Sequence, residues 1–281
     1  MLDRARKFLS STFEQPLGAR VAAGGYYVDL RVKAWSSDWP TIWPWPPGRQ
    51  SWIALSQYGL GAHERWIAGE GEEWLAAARG VGEMLCENQT PTGTWEQGFD
   101  LPHTYHLRAP WISAMAQGEA ASLLVRLQNA TGDDRYGGAA RRALEPMPMA
   151  PLPDGSPFPQ EYPTNPPSHV LNGGIYAIWG LRDAGDAKGF EDALESLVRN
   201  LHRWDTGSWS LYDLYPHPIR NWASLAYHEL HTTQLRAMTA LSPRPELAEA
   251  ADRFESYWSS RAYRARALAH KAAFRVRVPR S

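Results

Sequence analysis

The sequence predicts a mainly α protein: an incomplete α/α toroid, or barrel, of helical hairpins, preceded by a short β- and Trp/Pro-rich segment. Three observations lead there. Apolar residues recur with helical periodicity through most of residues 51–260. The helical segments fall into pairs whose junctions resemble one another: Ile67-Ala68-Gly69-Glu70, Ala130-Thr131-Gly132-Asp133 and Asp183-Ala184-Gly185-Asp186. A glycine that ends one helix in the left-handed conformation, followed by an acid at the next helix start, punctuates an αα-hairpin. Long return loops separate the pairs, so each hairpin must bury its face on its neighbour, and such an array curves or closes.

In chain order, residues 1–50 read as an N-terminal helix, a short strand within Gly24-Gly25-Tyr26-Tyr27-Val28-Asp29-Leu30-Arg31-Val32, and a loop. In that loop Trp39-Pro40 and Trp43-Pro44-Trp45-Pro46-Pro47 disfavour helix. The catalytic unit is expected at 51–260, with helices at 51–68, 71–88, 110–131, 134–145, 168–184, 187–204, 221–241 and 244–260. The loops 89–109, 146–167 and 205–220 are long and rich in aromatic and charged residues, which marks them as functional. Residues 261–281 hold seven Arg and Lys and no acid, a basic tail read as a solvated or partner-docking segment. Its alternation Phe274-Arg275-Val276-Arg277-Val278-Pro279 also admits a strand pairing with residues 26–32.

Composition narrows the classes of function. The 281 residues include 14 Trp, 12 Tyr and 7 Phe, rings whose apolar face and polar edge suit both core packing and stacking on a sugar. With 29 basic against 30 acidic residues, the chain is no dedicated nucleic-acid binder. Residues 1–260 alone carry 22 basic against 30 acidic residues, which disfavours a densely sulfated polyanion as partner. Cys86 stands alone, which excludes an intramolecular disulfide and a thiolate metal site. No apolar run approaches a membrane span or a signal sequence, so a cytoplasmic protein with no membrane span is expected. Neither a Gly-rich dinucleotide motif nor a phosphate-binding loop occurs. The nearest metal-like pattern, His228-Glu229-Leu230-His231, puts two histidines on one helix face without a third ligand, so neither metal nor cofactor is expected.

Polar and aromatic residues concentrate in a few strings within otherwise apolar helices and their loops. They are Gln57-Tyr58-Gly59-Leu60-Gly61, Ala109-Pro110-Trp111-Ile112-Ser113-Ala114-Met115-Ala116-Gln117-Gly118, Glu161-Tyr162-Pro163-Thr164, Val170-Leu171-Asn172-Gly173, Tyr212-Asp213-Leu214, and Tyr227-His228 with His231 and Gln234-Leu235. In this order they resemble the catalytic C-terminal domain of the D-glucuronyl C5-epimerase family, whose enzymes invert glucuronate to iduronate within heparosan-type polysaccharides. The resemblance covers about residues 25–258 and implies an incomplete α/α barrel. It also implies that Tyr162, Tyr212, Tyr227 and the acid Glu161 surround the uronate. A basic residue of the family shortly after Tyr-Asp-Leu is here Tyr215, which leaves Arg108 or Arg220 to meet the substrate carboxylate. Gln117, Asn172, Trp111, Trp209, His228 and His231 complete the expected substrate-binding set.

The chemistry explains these residue types. A uronate C5 hydrogen is weakly acidic while the adjacent carboxylate is ionised, so a cation must neutralise the carboxylate first, and Arg holds it bidentately. A tyrosine becomes a base only if a neighbouring cation favours its phenolate. Inversion needs a second donor on the opposite ring face, a role for which tyrosines on different loops are suited. The expected partner is an oligo- or polysaccharide containing uronic acid. Competing readings are a polysaccharide lyase, a glycoside hydrolase using Glu161 and Asp213 as its two carboxylates, or a glycan-binding protein without catalysis.

Overall fold

The computed structural model describes residues 24–39, 50–101 and 104–279. The expected N-terminal helix and the centre of the Trp/Pro cluster lie outside them. Among the described residues the fold is mainly helical. It comprises α1 (Trp52–Ile67), α2 (Glu72–Asn88), α3 (Ala114–Thr131), α4 (Asp134–Arg142), α5 (Leu171–Asp183), α6 (Ala187–Asn200), α7 (Leu225–Leu241), α8 (Pro245–Ser259) and α9 (Arg261–Arg277). Two short antiparallel ribbons occupy the return loops. Strand β1 (Glu96–Gln97) pairs with β2 (Trp111–Ile112), and β3 (Met149–Pro151) pairs with β4 (Pro157–Pro159).

Helix starts follow from local capping. Ser51, Ser113, Asp133, Asp186, Ser224 and Ser260 each accept a hydrogen bond from a backbone N–H of the first turn they precede, and Pro245 opens α8. The hairpin glycines behave as their spacing predicts: φ is 79° at Gly69, 75° at Gly132 and 87° at Gly185, a left-handed turn that β-carbon-bearing residues resist.

Helices pair as α1 with α2, α3 with α4, α5 with α6 and α7 with α8, and the first helix of each pair packs on the first of the next. Burial matches this layering. Every residue of α5 from Leu171 to Leu181 is buried, whereas α6 buries one stripe, including Phe190, Ala193, Leu194 and Leu197. The α3–α5 contact is close because it is made by backbone: a β-carbon on Gly180 would collide with Gly118, and one on Gly118 would lie 2.6 Å from the Ala177 Cα.

Residues 24–34 do not form the expected strand. They bury Tyr26, Tyr27, Val28 and Leu30 and end in a single 3-10 turn, Arg31–Lys33. A buried ion pair secures them: Arg126 donates to Asp183 at 2.6 Å and to the Gly25 carbonyl at 2.9 Å, while the Tyr27 hydroxyl donates to Asp183 at 2.6 Å. The basic segment is neither strand nor solvated tail. Ala and Arg favour helix, Ser260 caps it, and Ala267, Lys271 and Phe274 form one buried face against the rest of the molecule.

Candidate active site

The three long loops converge beside the N-terminal turn of α7. Together they form a cleft lined by Leu101, Thr104, Tyr105, Tyr162, Tyr212, Asn221, Ser224, Tyr227, Lys271 and Arg275. Backbone hydrogen bonds hold the loops in register. Leu171 donates to the Tyr212 carbonyl at 3.1 Å, Leu214 to that of Ser168 at 2.9 Å, and Tyr212 to that of Asn221 at 2.8 Å. The Ser168 hydroxyl donates to the Tyr162 carbonyl at 2.8 Å.

The walls are aromatic. Tyr105 stacks on Tyr162 with ring centroids 4.6 Å apart, and Trp111 braces Tyr162 from behind at 5.8 Å. Tyr212 meets Tyr227 edge to face at 4.8 Å. The Tyr162 phenol lies close enough to the Glu161 carboxylate and to Tyr212 that each acts on its ionisation, so acid and phenols form one electrostatically coupled group.

Glu161 is buried, and its Oε2 has no hydrogen-bond partner among the described residues. Burial, reinforced by the nearby Asp213 carboxylate, pushes its carboxyl up to about 7, against the opposing influence of the adjacent Tyr162 phenol. The tyrosines move the opposite way from the sequence-based expectation. Burial first, and then Asp213 for Tyr105 and Glu161 for Tyr162 and Tyr212, holds all three phenols well above their ordinary value. They are proton donors at neutral pH, and the group poised to accept a proton is Glu161.

Asp213 is committed elsewhere. Its Oδ2 accepts from the Tyr105 hydroxyl, from Asn221 Nδ2 at 2.6 Å and from His217 Nε2 at 3.3 Å. The Asn221 Oδ1 in turn accepts from Lys271 Nζ at 2.8 Å.

Of the residues expected from sequence, the structure gathers Tyr162, Tyr212 and Tyr227 at the cleft with Glu161 directly behind Tyr162. Asn172 lies in the first turn of α5, next to Gly173, against which Glu161 packs. His228 and His231 share the Ser210 hydroxyl at 2.8 Å and 2.9 Å, and Trp209 stacks on His228 at 3.7 Å. Burial keeps both imidazoles neutral, so they fix the chain two residues before Tyr212 rather than carry charge.

None of the eight expected substrate-binding residues is in the cleft lining, and Gln117, Arg108 and Arg220 make other contacts. Gln117 is fully buried and spends its amide on Trp95 N and the carbonyls of Gly93 and Ala143, because the loop after α2 has backbone groups that need partners there. Arg108 is 88% exposed and paired with Asp100. Arg220 is exposed and reaches the Arg203 carbonyl.

Lys271 and Arg275, together with Asn221, Ser224 and Thr104, were not anticipated. The signal for Lys271 was present in the spacing of Ala267, Lys271 and Phe274 on one helical face, but the density of charge around them obscured it.

The helical array sets an acid near neutrality among phenols, in a cleft with a buried ammonium, the equipment of a site for proton transfer. The family model for the D-glucuronyl C5-epimerase C-terminus matches residues 88–256, and the chain belongs to that family. It is 28% identical over 218 residues to the D-glucuronyl C5-epimerase of Caenorhabditis elegans, covering 66% of this chain and 35% of that protein. It is 30% identical over 161 residues to an uncharacterized protein of Methanocaldococcus jannaschii, covering 50% of each. The chain thus spans half or less of the length of these relatives.

Proposed function

We propose that the protein is a uronate C5-epimerase acting on a glucuronate-containing glycan, its hairpins arranged as an incomplete toroid over residues 51–260. The observation that carries this reading is the chain Glu161, Tyr162, Tyr212, Tyr227 along one cleft. Tyr162 comes from the loop after β4 and Tyr227 from α7, so the two are suited to opposite faces of a sugar ring.

In the forward direction the C5–H bond breaks as Tyr162 takes the proton and passes its own to the Glu161 carboxylate. The electron pair moves onto the substrate carboxyl group. Tyr227 then delivers its phenolic proton to C5 from the other face, and both groups reset by exchange with solvent. Glu161 near 7 is matched to this task, because a general base works best with its pKa close to the operating pH. Tyr212 lies near Tyr162 and meets Tyr227 edge to face, which joins the two tyrosines within the cleft.

The test is the fate of hydrogen at C5 in deuterated water. Tyr227→Phe should still exchange the C5 hydrogen of glucuronate while forming no inverted product, and Tyr162→Phe should stop both, each with a loss of at least about 100-fold. Full exchange and inversion in both variants would overturn the assignment. An unsaturated uronate product would indicate a lyase, and new reducing ends without unsaturation a hydrolase.

A further inference from the structure

Helix α9 lies beyond the family-matched region, yet it contributes two of the residues that line the cleft, Lys271 and Arg275. Lys271 is only 6% exposed, and a buried ammonium is costly unless its surroundings compensate. Its Nζ donates to Asn221 Oδ1 at 2.8 Å and to the Trp222 carbonyl at 2.9 Å, which fixes the ammonium at the cleft wall. Asn221 is itself fixed by Asp213, so the ammonium is held in place by the loop that bears Tyr212. It stands 5.6 Å from the centroid of the Tyr212 ring, and Tyr212 touches Tyr227. Both arginines anticipated for the substrate carboxylate lie on the surface instead.

We propose that Lys271 receives the carboxylate of the uronate and so activates its C5 hydrogen. This rests on the epimerase reading above. When the C5–H bond breaks, the proton goes to the base and the bonding pair onto the carboxylate oxygens, where the ammonium offsets the second negative charge through an N–H hydrogen bond. No bond from lysine to carbon forms. Because C5 carries the carboxyl group directly, an anion seated on Lys271 brings C5 among Tyr162, Tyr212 and Tyr227, which line the same cleft. The first turn of α7, capped by Ser224 in the same cleft, adds a favourable helix N-terminus beside it.

The experiment uses the full chain with heparosan oligosaccharides and the same oligosaccharides after reduction of their carboxyl groups. Lys271→Met should lower kcat/KM for C5 deuterium exchange by about 100-fold or more, Lys271→Arg should recover part of the loss, and Arg261→Ala on the exposed start of α9 should match the parent. Thermal melts establish that each variant is folded. In calorimetric titrations the parent should bind the uronate form more tightly than the reduced form, and Lys271→Met should lose that preference. Exchange in Lys271→Met within about threefold of the parent overturns the Lys271 assignment and leaves the epimerase reading standing. If the parent exchanges no C5 hydrogen, the epimerase reading fails, and the titrations still decide on Lys271. A parent that does not prefer the uronate form, or a Lys271→Met variant that keeps the preference, overturns it.

Discussion

At the scale of single residues, the tryptophans account for much of how the site is held. Trp52, Trp95, Trp111, Trp204 and Trp209 each bury an indole and donate its N–H to a backbone carbonyl, those of Glu96, Leu85, Phe99, His169 and Ala223. The ring fills the core while the polar edge ties down a loop, so abundant Trp is the means by which long loops are made rigid. Composition alone pointed to sugar stacking, whereas the described Trp35 and Trp39 pack on Tyr58 instead. Glu161 makes the sharpest prediction at this scale. Its folded carboxyl titrates near 7, above the ordinary 4.5, so its contribution to stability is full below about 4.5 and is lost as pH rises through 7. Glu161→Gln should therefore be more stable than the parent at pH 8, by on the order of 3 kcal/mol if the whole shift is expressed, with that advantage gone at pH 4.5. Urea denaturation at the two pH values measures it, and an equal difference at both would contradict the assignment.

At the scale of elements, the hairpins were legible because their punctuation is local. A left-handed glycine and a capping acid act within one turn, and the structure places them so at Asp133 and Asp186, whereas Gly71 rather than Glu70 stands at the start of α2. The strand expected near residues 26–32 was not legible for the opposite reason. Its alternation is real, but the partner of Tyr26 and Tyr27 is a buried ion pair between Arg126 and Asp183, a long-range contact that no local pattern encodes. The α3–α5 contact gives a test of the packing. Gly118→Ala inserts a methyl against the backbone of α5 and should cost about 1–3 kcal/mol in a urea titration. Stability equal to the parent would mean that the two helices do not approach as described.

At the scale of the whole molecule, the site is assembled from loops of successive hairpins and closed by the last helix. The tyrosines and Glu161 could be found from their family strings, since those strings are short and contiguous. Lys271 was harder to find, because the helical spacing of Ala267, Lys271 and Phe274 was its signal and the surrounding charge density suggested solvent instead. Removal of residues 261–281 should therefore lower the melting temperature as well as turnover, since it strips buried Phe274 and Ala267 along with Lys271. A truncated chain with unchanged stability would contradict that docking.

The central claim is that this cleft moves a proton at C5 of a uronate. Its most direct measurement is parent protein with a glucuronate polymer in deuterated water, read by nuclear magnetic resonance. The account predicts deuterium at C5 in both glucuronate and iduronate residues, with intact chains. Unlabelled glucuronate throughout, or labelled products only on cleaved chains, would contradict it.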